Sequence, residues 1–174
     1  IDWVSQPEQL GTGHAVAQVL PSVPDNHTVL VMYGDVPLIR HATLEKLQAI
    51  AERDELAVLT AVLDDPTGYG RILRDSEDRI TGNIEHKDAS DDELRICEIN
   101  SGFIAAPAGR LNSWVGSLES DNAQGEYYLP DALRFIIKSG HSVKTLLLED
   151  PVEGSGINSK EELKELEDYI NTEK

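Results

Sequence analysis

The sequence predicts an α/β layered domain on a mixed, mostly parallel sheet with one small antiparallel hairpin. Three observations carry that expectation. Apolar runs of strand length alternate with helix-period segments along the whole chain. Several runs are continuously apolar, as strands buried on both faces are. The 174 residues, 19.1 kDa, suit one domain. Area scaling gives about 8,400 Å² of folded surface against about 27,700 Å² unfolded, so about 70% is buried, enough for a core.

The elements follow in order. Residues 2–5 read as a short strand, then 13–20 as a helix closed by Pro21, with Asp25-Asn26 as a turn. Residues 28–33 form a continuous apolar run of strand length. Thr43 is placed to cap the next helix, which runs through Glu52 with Leu44, Leu47, Ile50 and Ala51 on one face. Residues 56–63 are the next buried strand. Residues 71–74 and 79–85 pair as a hairpin around a turn at 75–78. A strand over 96–105 leads to a helix over 108–118. Residues 126–139 begin as a loop and become a helix, with Ala132, Phe135 and Ile136 facing inward. A strand over 143–148 and a helix over 160–171 close the chain. No internal repeat is present, and in particular no hexapeptide repeat of the β-helix kind.

Composition excludes several classes. Fifteen Lys and Arg against 32 Asp and Glu leave a net charge of −17, which repels nucleic-acid backbones and anionic membranes, so neither partner is expected. No apolar run approaches the ~20 residues of a membrane span, and no basic leader with an apolar stretch opens the chain. The single cysteine, Cys97, permits neither an internal disulfide nor a multi-cysteine metal site, which suits a reducing cytoplasm, and it reads as a buried strand residue. Trp3 and Trp114 read as core. The five histidines lack metal-ligand spacing. Ser155 in Gly154-Ser155-Gly156 lacks the strand–elbow–helix pattern of a hydrolase nucleophile. The chain opens Ile1-Asp2-Trp3-Val4, already strand-like, and its one Met is Met32, so it reads as a piece whose natural start is missing.

The residues suited to chemistry sit where strands end. Tyr33-Gly34-Asp35 follows the strongest strand, where open α/β sheets bind ligands; a carboxylate there can hold a hard divalent cation or cap the following turn. Gln9 to His14 is a glycine-bearing loop opening a helix, suited to phosphate or base contact or to a plain helix start. Gln6 offers an amide donor and acceptor, the pair needed to read a pyrimidine edge. A second glycine-rich loop spans Asp65 to Arg71, and Glu85-His86-Lys87-Asp88 closes the hairpin with polar groups. Asn100 and Gly102 interrupt an apolar strand, an expensive choice unless a ligand takes the amide's hydrogen bonds. A third loop runs from Gly154 to Asn158. Together these loops suggest a pocket for a polar, hydroxyl-rich ligand.

Five blocks in register carry a family resemblance. They are Gln9-Leu10-Gly11-Thr12-Gly13-His14-Ala15, Tyr33-Gly34-Asp35-Val36-Pro37-Leu38, residues 64–71, Glu85-His86-Lys87-Asp88 and Gln124-Gly125-Glu126-Tyr127-Tyr128-Leu129. Essentially the whole chain from Trp3 onward resembles the uridylyltransferase domain of the bacterial bifunctional N-acetylglucosamine-1-phosphate uridylyltransferase/glucosamine-1-phosphate acetyltransferase. The resemblance implies a Rossmann-like nucleotidyltransferase fold. It also implies uracil contacts at Gln6, Gly11 and Thr12, a sugar-phosphate path along Tyr33 and Gly34, and N-acetylglucosamine contacts at Gly70, Glu85 and Asn100. Asp35 and Asn158 become the ligands of one Mg²⁺. Gly154 stands where the family has Val, a change expected to loosen that loop; Pro130 and Ser101 each stand where it has Thr, and both leave the implied ligand set intact.

The family's opening strand and its loop L-x-A-G-x-G-T-R-M, with the Lys that follows, have no counterpart in this sequence, and neither does the acetyltransferase β-helix. The expectation is therefore a partial domain that transfers UMP from UTP to N-acetylglucosamine 1-phosphate, giving UDP-N-acetylglucosamine and pyrophosphate in the cytoplasm for cell-wall and lipopolysaccharide precursors. Full-length relatives are expected to form homo-oligomers through the acetyltransferase domain. Two other readings stay open: a binding-only remnant, and a related nucleotidyltransferase with another base or sugar.

Overall fold

The computed structural model describes residues 1–53, 55–120, 122 and 125–172. Its strands are β1 (Thr28–Val31), β2 (Leu56–Val62), β3 (Arg71–Arg74), β4 (Ile80–Ile84), β5 (Glu98–Pro107) and β6 (Val143–Leu147). Its helices are α1 (Thr12–Val19), α2 (His41–Ala51), α3 (Ala108–Val115), α4 (Ala132–Lys138) and α5 (Lys160–Thr172). The sheet runs β4-β3-β5-β2-β6, with β1 attached to β5. It is mixed, as expected, but not mostly parallel in its pairing. Among the described residues only β2 and β6 pair in parallel, whereas β1, β2 and β3 run against β5, and β4 against β3. The long β5 runs down the middle against four strands that share one direction, so nearly every ladder is antiparallel.

Alternation sorts the core onto both faces of this sheet. Leu56 and Val58 of β2, with Ile104 and Ala106 of β5, pack toward Leu111 and Trp114 of α3 and Leu133 and Ile136 of α4. Ala57, Leu59 and Ala61, with Phe103 and Ala105, pack toward Leu47 and Ala51 of α2. Covered on both sides, β2 is buried at every position but its last, which is why it reads as an unbroken apolar run.

Edges behave differently. β1 and β6 read as buried strands, but β1 is half-buried throughout and β6 alternates between half-buried and exposed, because each pairs with one neighbour only. Residues 2–5 form no strand: nothing pairs with them among the described residues, and Trp3 is 91% exposed instead of in the core. Trp114, at 3%, is core as expected. Cys97 is exposed, one residue ahead of β5. Phe135 also faces out, at 39% exposure; Ala132, Leu133 and Ile136 form the buried stripe of α4, and Phe135 lies about 100° round the helix from it.

α2 begins at His41, so Thr43 lies inside the helix and is not its cap. A distant carboxylate does the capping work. Glu153 Oε2 accepts from Arg40 N (3.2 Å) and Thr43 Oγ1 (2.7 Å). The hairpin turn is as expected, with Asp75 N donating to Arg79 O (3.0 Å) and Asp78 at φ 62.

Candidate active site

One edge of β5 has two partners with a gap between them. β1 covers residues 104–107 and β3 meets the strand only at Ile99, so residues 100–103 face neither. The gap is the floor of a cleft of about 470 Å³, lined by Asn100, Ser101 and Gly102 below. Around the floor stand Thr12, Tyr33, Asp35, Gly70, Glu85 and Asn158. Gly102 makes the floor possible: at φ +86, a side chain there would place its Cβ 2.5 Å from the Tyr33 ring. The β2–β5 register shifts at this level, between Val58 and Thr60, and Ser101 Oγ donates to Leu59 O (2.8 Å) across the irregularity.

One wall is built on strands. Asn100 N donates to Gly70 O (2.9 Å), and Asn100 Oδ1 accepts from Gly102 N (2.8 Å), which leaves Asn100 Nδ2 buried without a partner among the described residues. Gly70 carries no Cβ because Asn83 and Glu85 occupy the space: a Cβ would lie 2.8 Å from Asn83 Oδ1 and 2.8 Å from Glu85 Oε1. Burial raises the Glu85 carboxyl above the ordinary carboxylate range; Asp131 and Asp88 push it further up, while the Asn83 hydrogen bond and Arg71 oppose them. Arg71 is almost fully buried, with Nη1 donating to Tyr69 O, Nη2 3.4 Å from His86 Nδ1, and Nε unpaired. Asn83 is the residue the sequence reading missed. Its signal was the amide two positions before Glu85, on one face of the strand expected over 79–85.

The opposite wall is built on loops. Asp35 and Asn158 follow β1 and β6, which point the same way, and Ile157 N donates to Asp35 O (2.9 Å) to join their loops. Both side chains open onto the cleft, and neither makes a hydrogen bond among the described residues. Asn158 does not cap α5. Ser159 and Glu162 do that reciprocally, Glu162 N donating to Ser159 Oγ (3.1 Å) and Ser159 N to Glu162 Oε2 (2.9 Å). The loop at 150–154 is fastened to α2 by Arg40, which pairs with Asp150 (3.1 Å) and Glu153 (3.2 Å). One carboxylate and one amide oxygen on a shared cleft fit Mg²⁺, a cation that takes few protein oxygens and keeps waters and phosphate oxygens as its other ligands.

Gln6, Gly11 and Gly34 do not line the cleft. Gln6 Nε2 donates to Gly11 O (3.2 Å), one residue from Thr12, so the implied base-contact trio does cluster. Gly11, at φ +102, packs against the Tyr127 backbone. Gly34 sits in an adjoining apolar groove with Met32 and Val31. Burial, then Glu85 and Asp35, raises the Tyr33 hydroxyl pKa, with Thr12 hydrogen-bonded to it. Gln124, first residue of the 124–129 block, lies outside the described residues.

Comparison with known proteins gives the family and the fold. Residues 1–94 match the nucleotidyl transferase family. The chain belongs to that family. It is 49% identical over 163 residues to the bifunctional protein GlmU of Alkalilimnicola ehrlichii, covering 94% of this chain and 35% of that protein. To GlmU of Burkholderia mallei it is 51% identical over 167 residues, 96% of this chain and 37% of the relative. To GlmU of an Azoarcus species it is 52% identical, with 95% and 36% covered. The chain thus spans about a third of the length of these curated relatives. A crystal structure of UDP-glucose pyrophosphorylase complexed with UDP-glucose superimposes with a TM-score of 0.76 at 16% identity, covering 99% of this chain and 66% of that one. That likeness supports the Rossmann-like nucleotidyltransferase fold. Among the described residues no helix is long and apolar enough to cross a membrane.

Proposed function

We propose that this cleft transfers UMP from UTP to N-acetylglucosamine 1-phosphate, releasing pyrophosphate and forming UDP-N-acetylglucosamine. The observation that carries the reading is the convergence of Gly70, Glu85 and Asn100 with Asp35 and Asn158 on one cleft. A sugar phosphate oxygen attacks the α-phosphorus of UTP as the bond from that phosphorus to the bridging oxygen breaks. No covalent protein nucleophile is needed, and positioning does most of the work. Glu85 accepts from a sugar hydroxyl or the acetamido N–H, and Asn100 Nδ2 donates to the sugar. Gln6, Gly11 and Thr12 hold the uracil edge. Asp35 and Asn158 would hold Mg²⁺, which supplies charge neutralisation that a chain of net charge −17 cannot offer two anionic substrates. Within this reading the product feeds cell-envelope precursor synthesis in the cytoplasm.

Calorimetric titration of the chain with UDP-N-acetylglucosamine and Mg²⁺ tests the proposal. The expected result is saturable binding that Glu85→Ala weakens about 10²–10³-fold, since a site built to hydrogen-bond its ligand loses most when that bond is removed. Equal binding by the wild-type chain and Glu85→Ala, or none by either, overturns it.

A further inference from the structure

We propose that Asn83 is a positioning residue of the sugar subsite, holding the Glu85 carboxylate ionised and aimed into the cleft. The inference rests on the reading of Glu85 as a sugar ligand and adds the residue that makes it one. Asn83 lies on β4 and Glu85, two positions on, is the first residue past its end; both side chains turn toward Gly70. Asn83 is 4% exposed, and its Nδ2 donates to Glu85 Oε1 at 2.9 Å. Both side chains lie against Gly70 in the space a Cβ would fill. The amide is therefore clamped, and turning it over would set a carbonyl oxygen against the carboxylate.

The unpaired atom strengthens the case. Among the described residues Asn83 Oδ1 is buried without a partner, and Glu85 is the one group this amide serves. An Asn that merely filled space would leave its whole amide at a loss in this apolar strand. Charge favours the same role. Glu85 faces Asp131 from the short helical turn 129–131, Asp88 from the loop after β4, and the Tyr33 hydroxyl across the cleft. Two groups oppose the resulting rise in its pKa: the Asn83 donor and the buried Arg71 guanidinium on β3. Of these only Asn83 bonds the carboxylate directly. Without that donor Glu85 takes up a proton at higher pH and becomes a weaker, neutral acceptor for sugar hydroxyls.

The test compares wild-type chain with Asn83→Leu, in two measurements over a pH series. The first follows the Glu85 carboxyl carbon by NMR. The second follows affinity for UDP-N-acetylglucosamine, whose diphosphate does not titrate in the carboxyl range. Asn83→Leu is expected to move the Glu85 midpoint up by about one pH unit. The acid limb of binding should move with it, giving about tenfold weaker binding on the limb and recovery toward wild type well above it. A uniform loss at every pH, with the Glu85 midpoint unmoved, would make Asn83 merely structural and overturn the inference. If Glu85→Ala leaves binding intact, the sugar-ligand reading itself fails; if Glu85→Ala abolishes binding while Asn83→Leu leaves the limb in place, only the role of Asn83 fails. Should Asn83→Leu not fold, the smaller Asn83→Ala is measured in its place with the same expected shift.

Discussion

The two walls of the cleft solve different problems. On and just behind the strand-built wall, three buried polar atoms have no partner among the described residues: Asn100 Nδ2 at the cleft, and Arg71 Nε and Asn83 Oδ1 behind it. On the loop-built wall the backbone groups are tied to one another. Gly13 N donates to Tyr127 O (2.7 Å), Tyr127 N to Leu10 O (2.8 Å), Leu129 N to Thr12 Oγ1 (3.0 Å) and Ile157 N to Asp35 O (2.9 Å). A strand is already held by its ladder, so it can leave a side-chain atom such as Asn100 Nδ2 unpaired for a ligand. A loop must use its hydrogen bonds to hold its own shape, and what it offers a ligand is side-chain tips, Asp35 and Asn158 among them. The strand wall is thus set for shape and hydrogen-bond discrimination, and the loop wall for charge.

The strongest way to break this division is at the floor, where the walls meet. Gly102→Ala forces a side chain onto φ +86 and drives its Cβ to 2.5 Å from the Tyr33 ring. Left-handed strain and overpacking together should cost about 3 kcal/mol, read as a melting temperature lower by roughly 6–12 °C for a domain of this size. Because Tyr33 must swing away, both walls should lose their ligands in one variant. A stable Gly102→Ala protein with unchanged Tyr33 would mean that the floor is softer than the structure shows.

A smaller effect isolates the strand wall. Arg74 holds Glu98 through two bonds, 2.8 and 2.7 Å, and so fastens the β3–β4 hairpin to the start of β5. The hydrogen bond with Arg74 lowers the Glu98 pKa. A lowered carboxyl contributes stability that is present above its ordinary value and is lost as pH falls through the folded value. Glu98→Gln should therefore cost about 1–2 kcal/mol near neutral pH, and the melting curves of variant and wild type should converge in acid. Curves that stay parallel down to the acid limit would remove Arg74–Glu98 from the wall's support.

How much of this was readable from the residues depends on whether the cause is local. β2, the hairpin turn at 75–78 and the order of the helices were legible, because an apolar run, a turn cluster and a 3.6 period act within a few residues. Edge status was not. β1 and β6 look as apolar as β2, yet their exposure depends on which strands lie beside them, and Trp3 and Cys97, expected inside, are exposed because no strand covers them among the described residues. Of the residues proposed for the site, Gly70, Glu85, Asn100, Asp35 and Asn158 do meet on one cleft. Asn83 escaped notice because an amide in Ile-Thr-Gly-Asn-Ile-Glu looks like any solvated strand residue; only burial separates it from one.

The smallest expected effect sharpens the other side of the comparison. Ser159 caps α5, and the reciprocal partner Glu162 also accepts from the Asn158 backbone N–H at 2.5 Å. Glu162 itself lines the cleft. Losing a Ser cap costs about 1 kcal/mol, so Ser159→Ala should lower stability by that amount and no more, because α5 buries only Leu166 fully and depends on its cap. The consequence for the loop wall is specific. With the cap gone, Glu162 keeps its hold on the residue 158 backbone but loses its own anchor, and Asn158 gains freedom while Asp35 keeps its place. If the two walls act separately, Ser159→Ala should weaken the Mg²⁺ dependence of UDP-N-acetylglucosamine binding a few-fold and leave the metal-free affinity unchanged. Titrations with and without Mg²⁺ read the two directly. A fall in both by the same factor would show that the walls are coupled through the 150–158 loop, and the division between a discriminating wall and a charge-bearing wall would have to be given up.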